Sequence, residues 1–397
     1  MHKLKGKVQH YAWGGYYFIP QLLGIENSNH QPFAEYWMGI HPLAPSVIID
    51  SNNEILLSNK IAADPENILG KKIAAQFGNL PFLFKILDVK DMLSIQVHPS
   101  KAAAEKGFDE EEKKDIPQNA PHRNYKDRND KPEMMLALSE FWLLHGFKTE
   151  EEIIETVKGN KAFEGLSVFF ENGGYASLFE HIMKMPQHEV NKRLLPLVNE
   201  ELQRKLSGDV LKNEPGWWVC ELYKNKKPIG DFDCGIFSLY LLNIVEMQPG
   251  QAIFQGAGLI HAYLEGQNLE LMTNSDNVLR GGLTPKHIDV DELLQHTLFE
   301  ATVPKLIQEN KLGDAEINYP LPVESFALSR VEISGDEIIK FTAASPEIWL
   351  ITEGNAEFAG IVSVPVVKGD AIFAASGEDF CIRSSVKSVL YRAFVPV

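Results

Sequence analysis

One phrase is written twice in this chain. Residues 249 to 261, PGQAIFQGAGLIH, and residues 368 to 380, KGDAIFAASGEDF, share Gly-x-Ala-Ile-Phe and a second glycine eight positions after the first. A short run of β-formers between turn glycines reads as a strand held between tight turns. Its recurrence far along the chain points to two related β units. At the eleventh position after the first glycine the copies diverge, with His261 in one and Phe380 in the other, beside Gly258 and Gly377. The first copy therefore keeps a metal-type ligand where the second has an apolar side chain.

The first copy also resembles the second motif of the cupins, in which a glycine and a Pro-x-Gly turn precede a metal-binding histidine. Gly256 stands where that motif has proline, and Glu265 where it has asparagine. The expected fold is mainly β with an α-helical insert, built from cupin-type jelly-roll β-barrels. Residues 1–148 and 229–300 would form the catalytic barrel, 149–228 the helical insert, and 301–397 a degenerate second barrel without metal ligands.

Length and charge limit the rest. A chain of 397 residues can build two or three domains. Its formal charge of −16 disfavours nucleic acid and anionic membrane as partners, because binding to phosphate backbones relies on clustered Lys and Arg. A phosphorylated small molecule would need a local cationic pocket. Three cysteines, Cys220, Cys234 and Cys381, are too few and too scattered for a disulfide framework or a Cys-rich zinc site. The N-terminus has no apolar run of signal-peptide type and no run is long enough to span a bilayer. A cytoplasmic location is the expectation, with no obligate protein partner.

Taken in order, VQHYAWGG and AEYWMGIHP are rich in aromatics and glycine, and VIID and EILL read as strands. Trp13, Glu35 and Trp37 suit either a pocket wall or the core, although a carboxylate among aromatics needs a partner. Residues 64 to 78 have the pattern of one short amphipathic helix. LPFLFKILDV and MLSIQVHP follow as buried strands. Within them Lys85, Gln96 and His98 are out of place in a core unless hydrogen-bonded or bound. Gln96 and His98 are two apart, so a strand sends both side chains to one face. The charged stretch 102–128 reads as a solvated surface. Pro132 suits a strand start, which puts Glu133 at its mouth, and His145 in WLLHGF reads as a satisfied core histidine. From 149 the pattern is helical, with Thr149 and Glu152 at capping-box spacing and stripes at Ile153, Ile154, Val157 and at Val190, Leu194, Val198, Leu202. Strands are expected to resume at Gly235, a short helix to start near Asp289, and short strands to fill 318–397.

Four metal-type side chains thus fall on β elements: Gln96, His98, Glu133 and His261. Two imidazoles, one carboxylate and one amide oxygen leave a divalent ion positively charged and open on one side, which suits Lewis-acid chemistry on oxygen. The amide favours one zinc ion per chain over redox iron.

SIQVHP, NDKPEM, HAYLEG and SDNVLRGGLTPK together resemble type I mannose-6-phosphate isomerase, as do AWGG, AEYWMG and LPFLFK. The resemblance runs over most of the chain and is weakest in the helical insert and the last eighty residues. It implies a cupin core with one zinc on Gln96, His98, Glu133 and His261, Arg280 as the catalytic arginine, and interconversion of mannose 6-phosphate with fructose 6-phosphate. Asp130 departs from the histidine common there in bacteria. Such an isomerase moves a proton between carbons 2 and 1 through a cis-enediolate, so it needs an oxyanion stabiliser and a shielded base. Lys131, Glu270 and Asp276 are the candidates for the base, and Asp276 can alternatively orient the Arg280 guanidinium. Ser94 and Lys286 are expected phosphate contacts, while Tyr263, Lys85, Trp13 and Glu35 would line the substrate pocket. A non-catalytic sugar-phosphate sensor and a metal-dependent cupin oxygenase are the competing functions.

Overall fold

The structure is a computed structural model describing residues 1–50, 53–335 and 337–397. It is mainly β with helices, arranged in three sheets of nine, ten and four strands. The ten-stranded sheet carries the candidate site. Its main path runs from Leu242–Met247 through Phe141–Phe147, His261–Thr273, Phe82–Val89 and Glu35–Met38 to Lys7–Gln9. This path is open at both ends, so strand pairing does not close a barrel.

His261–Thr273 is the spine of this sheet. Its second half pairs with Phe82–Val89 on one side and Glu133–Ala137 on the other, and its first half pairs with Phe141–Phe147 and Gln96–Val97. One strand can serve two sets of neighbours only if it bends. A register shift falls between Tyr263 and Glu265, followed by Gly266 at φ +126°, where a Cβ would lie 2.6 Å from the Glu140 carbonyl oxygen. Phe82–Val89 is buried at every position, which explains its lack of apolar alternation.

The duplicated phrase has duplicated geometry. Ala252–Gln255 and Ala371–Ala374 are both strands. Gly250 and Gly369 have φ of +89° and +90°, and Gly258 and Gly377 are both at +81°. The side chains that differ have opposite surroundings. Phe380 packs among Trp349, Phe341 and Phe358, with ring centroids 5.7 to 5.9 Å away, so the second copy fills with aromatic core where the first gathers polar groups.

The helices follow the sequence pattern closely between 149 and 222. Thr149 caps Glu150–Gly159 in a full capping box with Glu152. Ile153 and Val157, and Val190, Leu194 and Val198 of Gln187–Leu206, are buried in one apolar cluster that also takes in Trp142, Leu144 and Phe147. Ile154 remains exposed and Leu202 is only partly buried.

Several expectations change. Strands resume at Leu242 rather than Gly235, because Gly235–Leu241 is a helix buried at every residue. A short apolar run with no polar face carries no period to separate strand from helix. The 64–78 helix is two, Pro65–Leu69 and Lys71–Phe77, parted at Gly70 with φ +84°, and another helix, Leu57–Ala63, precedes them. In MLSIQVHP only Gln96–Val97 is strand. The 102–128 stretch is not wholly solvated either, since Glu111, Arg123 and Tyr125 are buried together. The chain's first strand, His2–Lys5, pairs with Ala371–Ala374, and Val47–Asp50 and Asn53–Leu56 extend the same nine-stranded sheet.

Candidate metal centre

Each of the four expected ligands is delivered by a different backbone device. Gln96 lies between His261 and Arg280 in the ladder. His98 follows that strand, and its carbonyl accepts the N–H of Gly258 at 2.9 Å. The turn that presents His261 is therefore tied to the backbone of a second ligand. Glu133 opens its strand opposite Gln255 and Met272.

Their side chains meet. The ligand atoms of His98, Glu133 and His261 all lie within 4.8 Å of one another. Nε2 of His98 is 3.3 Å from Glu133 Oε1, Nε2 of His261 is 3.4 Å from Glu133 Oε2, and Nε2 of Gln96 is 3.3 Å from Nε2 of His261. Two atoms each ~2.1 Å from a zinc ion at a tetrahedral angle stand about 3.4 Å apart. The two imidazoles turn the right nitrogen inward because the other is occupied. Nδ1–H of His98 donates to the Asn277 carbonyl and that of His261 to the Leu259 carbonyl, both at 2.9 Å.

The centre is unsatisfied as it stands. His98 and His261 are fully buried and Glu133 is 1 % exposed, yet His98 Nε2 and both Glu133 oxygens lack hydrogen-bond partners. Lys131 Nζ sits 2.8 Å from Glu133 Oε1, off the hydrogen-bonding direction. Orphaned buried acceptors are costly, so such a cluster fits a cation that would take up their lone pairs. The protonation states agree. Burial, aided by the Lys131 charge, pushes the His98 imidazole down to about 4. Burial opposes ionisation of Glu133, but the adjacent Lys131 charge outweighs it and helps hold its carboxyl well below the usual range. A neutral His98 imidazole and an ionised Glu133 carboxylate are the forms a metal requires.

Beside the centre lies a second polar row. Lys85, 6 % exposed, is 2.7 Å from Glu270 Oε2 and 3.6 Å from Glu35 Oε2, with its ammonium 5.0 Å from the Trp37 ring centroid. Glu35 accepts the Trp37 indole N–H, so it has the partner its burial demands. The Tyr263 hydroxyl is 2.9 Å from Glu270 Oε1 and 3.3 Å from Gln255 Oε1. Tyr263 is 2 % exposed and packs in the core with Phe141, its ring edge-on at 5.4 Å. Burial raises Glu270 despite the charge of Lys85.

The other expected residues are more open. Arg280 is half-buried opposite Gln96 and makes no ion pair among the described residues. Lys286 is solvent-exposed six residues on, its ammonium disfavoured by partial desolvation and by the charge of Arg280. Ser94 is half-buried two residues before Gln96. Trp13 packs against the apolar cluster that includes Tyr263 and Phe141 and stacks on Tyr11 at 5.9 Å. Asp276 does not orient Arg280; its Oδ2 is 3.0 Å from His41 Nε2. Asp130 is half-buried and outside the ligand cluster. His145 is buried as expected but not satisfied: it faces His261 across the ladder, its Nδ1 has no partner, and burial pushes it down to about 3.

Sequence reasoning missed His41 and Asn277. Asn277, fully buried, holds the His98 ring with its carbonyl while its side chain bonds the 126–129 loop. A buried asparagine in the polar run TNSDN was the available signal. His41 had a weaker one, a histidine four residues after Trp37 in an apolar run.

A buried His-Glu-His cluster with an adjacent amide, set in an open β-sheet beside an unpaired arginine, defines the class as a β-sheet metalloprotein with a divalent-ion site. The family model for the type I phosphomannose isomerase catalytic domain matches residues 1–150. Mannose-6-phosphate isomerase of Shigella flexneri is 39 % identical, covering 95 % of each chain, and that of Homo sapiens is 32 % identical, covering 95 % of this chain and 93 % of the human one. A crystal structure of the Salmonella typhimurium enzyme, bound to fructose 6-phosphate as substrate and to zinc, superposes with a TM-score of 0.87 at 34 % identity over the whole of both chains. The chain belongs to the type I mannose-6-phosphate isomerase family, and it is an isomerase of that kind.

Proposed function

We propose that the chain holds one zinc ion on Gln96, His98, Glu133 and His261 and interconverts D-mannose 6-phosphate and D-fructose 6-phosphate. The supporting observation is the buried Glu133 carboxylate, whose oxygens meet no hydrogen-bond donor among the described residues and face two imidazoles whose outer nitrogens are already bonded. The zinc-bound relatives are consistent with it. When bound, zinc supplies Lewis-acid polarisation of the oxygens at carbons 1 and 2.

The chain's own residues do the rest. Arg280, forked, permanently charged and unspent on any carboxylate among the described residues, stabilises the negative charge that develops as the cis-enediolate forms. Lys286 and Ser94, flanking Arg280 and Gln96, bind the phosphate, and Lys85, Tyr263, Trp13 and Glu35 shape the pocket behind. The base that moves the proton is one of Lys131, Glu270 and Asp276. Glu270 is already tied to Lys85 and Tyr263, Lys131 lies against Glu133, and Asp276 keeps its side chain 41 % exposed.

In this reading the fold is two cupin-type jelly rolls, the catalytic one from 1–148 and 229–300 and the second from 301–397, with 149–228 as a helical cover. Its partner is a small sugar phosphate in the cytoplasm. The test is metal analysis together with a coupled assay. One zinc per chain, and turnover of mannose 6-phosphate abolished by chelation and restored by zinc, is expected. Full turnover by demetallated protein would overturn the proposal.

A further inference from the structure

His41 and Asp276 form a pair that neither the metal centre nor the packing of the sheet explains. The His41 side chain is buried, with its ring edge-on to Trp37 at 4.8 Å. Its Nδ1 accepts the backbone N–H of Leu43 at 3.3 Å. A backbone N–H can only donate, so the ring proton of the neutral imidazole lies on Nε2. That nitrogen is 3.0 Å from Asp276 Oδ2. Asp276 is held from behind as well, its own N–H donating to Asp127 Oδ2 at 2.8 Å. Its neighbour Asn277 is the residue that fixes the His98 ring. An exposed carboxylate has water to bond and needs no buried partner, so an imidazole with a fixed tautomer aimed at it is a device for orientation.

We propose that His41 is a positioning residue for the isomerase reaction, holding the Asp276 carboxylate at the rim of the metal centre to accept a hydroxyl of the bound sugar. This rests on the sugar-phosphate isomerase reading of the site. The groups acting on Asp276 are His41 directly, Asp127 through the backbone, and the charges of Lys131 and Lys85, while Tyr11 and Lys126 feel its charge in turn. Partial desolvation raises the Asp276 carboxyl, but the His41 hydrogen bond and charge and these ammonium groups bring it below its ordinary value. Removing His41 therefore frees the side chain and raises its pKa together.

The experiment is a double-mutant cycle on the zinc-loaded enzyme, with kcat and KM for mannose 6-phosphate measured across pH beside zinc content and melting temperature. His41→Phe is expected to lose ~10–100-fold in kcat/KM, the size of a hydrogen bond to a charged group, with the acid limb of the profile moved to higher pH and zinc content unchanged. His41→Gln, which keeps a donor, recovers part of the loss. Adding His41→Phe to Asp276→Asn costs little more than Asp276→Asn alone. An unshifted acid limb with full activity, or losses that simply add, overturns the proposal. Should His41→Phe fail to fold, the cycle of His41→Gln with Asp276→Asn is decided by the same additivity. A zinc-loaded wild-type protein that does not turn over mannose 6-phosphate instead sinks the underlying reading, and this role with it.

Discussion

At the scale of single residues, the centre shows how a site is preorganised by bonds made away from it. His98 and His261 present the same nitrogen because a carbonyl has taken the other, and Arg280 is available because no carboxylate among the described residues has claimed it. Arg280→Ala should keep its fold and zinc content and lose ~100–1,000-fold in kcat, as removal of one oxyanion stabiliser does. Steady-state kinetics beside metal analysis checks this, and a near-full kcat would remove Arg280 from the chemistry. Protonation gives a second expectation. His98 and His145 are held neutral, at about 4 and about 3, both below the ordinary histidine value. Between pH 6.5 and those values the unfolded chain binds more protons than the folded one, so stability rises with pH across that window. It is fully present above the unfolded value and lost as pH falls. Metal-free protein should therefore melt progressively lower below pH 6.5, by ~1.4 kcal/mol per pH unit for each histidine, and calorimetry against pH would show a flat profile if they are not buried neutral.

At the scale of elements, the repeated turn offers a controlled comparison. Gly258 and Gly377 share φ +81°, which costs any L-residue about 1 kcal/mol or more. A Cβ at Gly258 would meet Leu298 at 2.8 Å and the His296 carbonyl at 3.0 Å, whereas one at Gly377 would meet nothing within 4 Å. Since Gly258 also hooks the His98 backbone, Gly258→Ala should lower both melting temperature and zinc affinity. Gly377→Ala should lower melting temperature alone and by less. Isothermal titration with zinc and thermal melts separate the two, and equal zinc affinity in both variants would detach the turn from the metal. The helical part gives a simpler case. Thr149→Ala removes one side of the capping box and should cost ~1 kcal/mol without changing turnover.

At the scale of the molecule, both termini of the chain meet in one sheet. His2–Lys5 pairs with Ala371–Ala374, in register from His2 opposite Phe373 to Leu4 opposite Ala371, and Met1 packs beneath the aromatic core of the second copy. The last eighty residues, which bring no ligand to the centre, thereby anchor the start of the chain that leads into the site sheet. Zinc should add to this stability by mass action, ~4 kcal/mol at a thousandfold excess over its dissociation constant. Melting temperature should rise with free zinc and fall on chelation, and a Glu133→Gln protein should show a much smaller shift.

The sequence by itself determined whatever is carried by local chemistry. Turn glycines need positive φ, capping residues need a helix behind them, and a polar side chain in an apolar strand needs a partner, so the Gly250 and Gly369 units, the Thr149 helix and the gathering of His98, Glu133 and His261 could all be found without coordinates. It did not decide what depends on which surfaces meet. Gly235–Leu241 is helical because it is buried on every side, a fact its apolar letters cannot express. Asp276, weighed either as a base or as the residue orienting Arg280 four positions away, pairs with His41, because a loop's neighbours in space are set by the sheet beneath it and not by spacing along the chain. Ligand types were legible because metal chemistry is selective about atoms; their partners were not, because hydrogen-bond partners are chosen by tertiary distance.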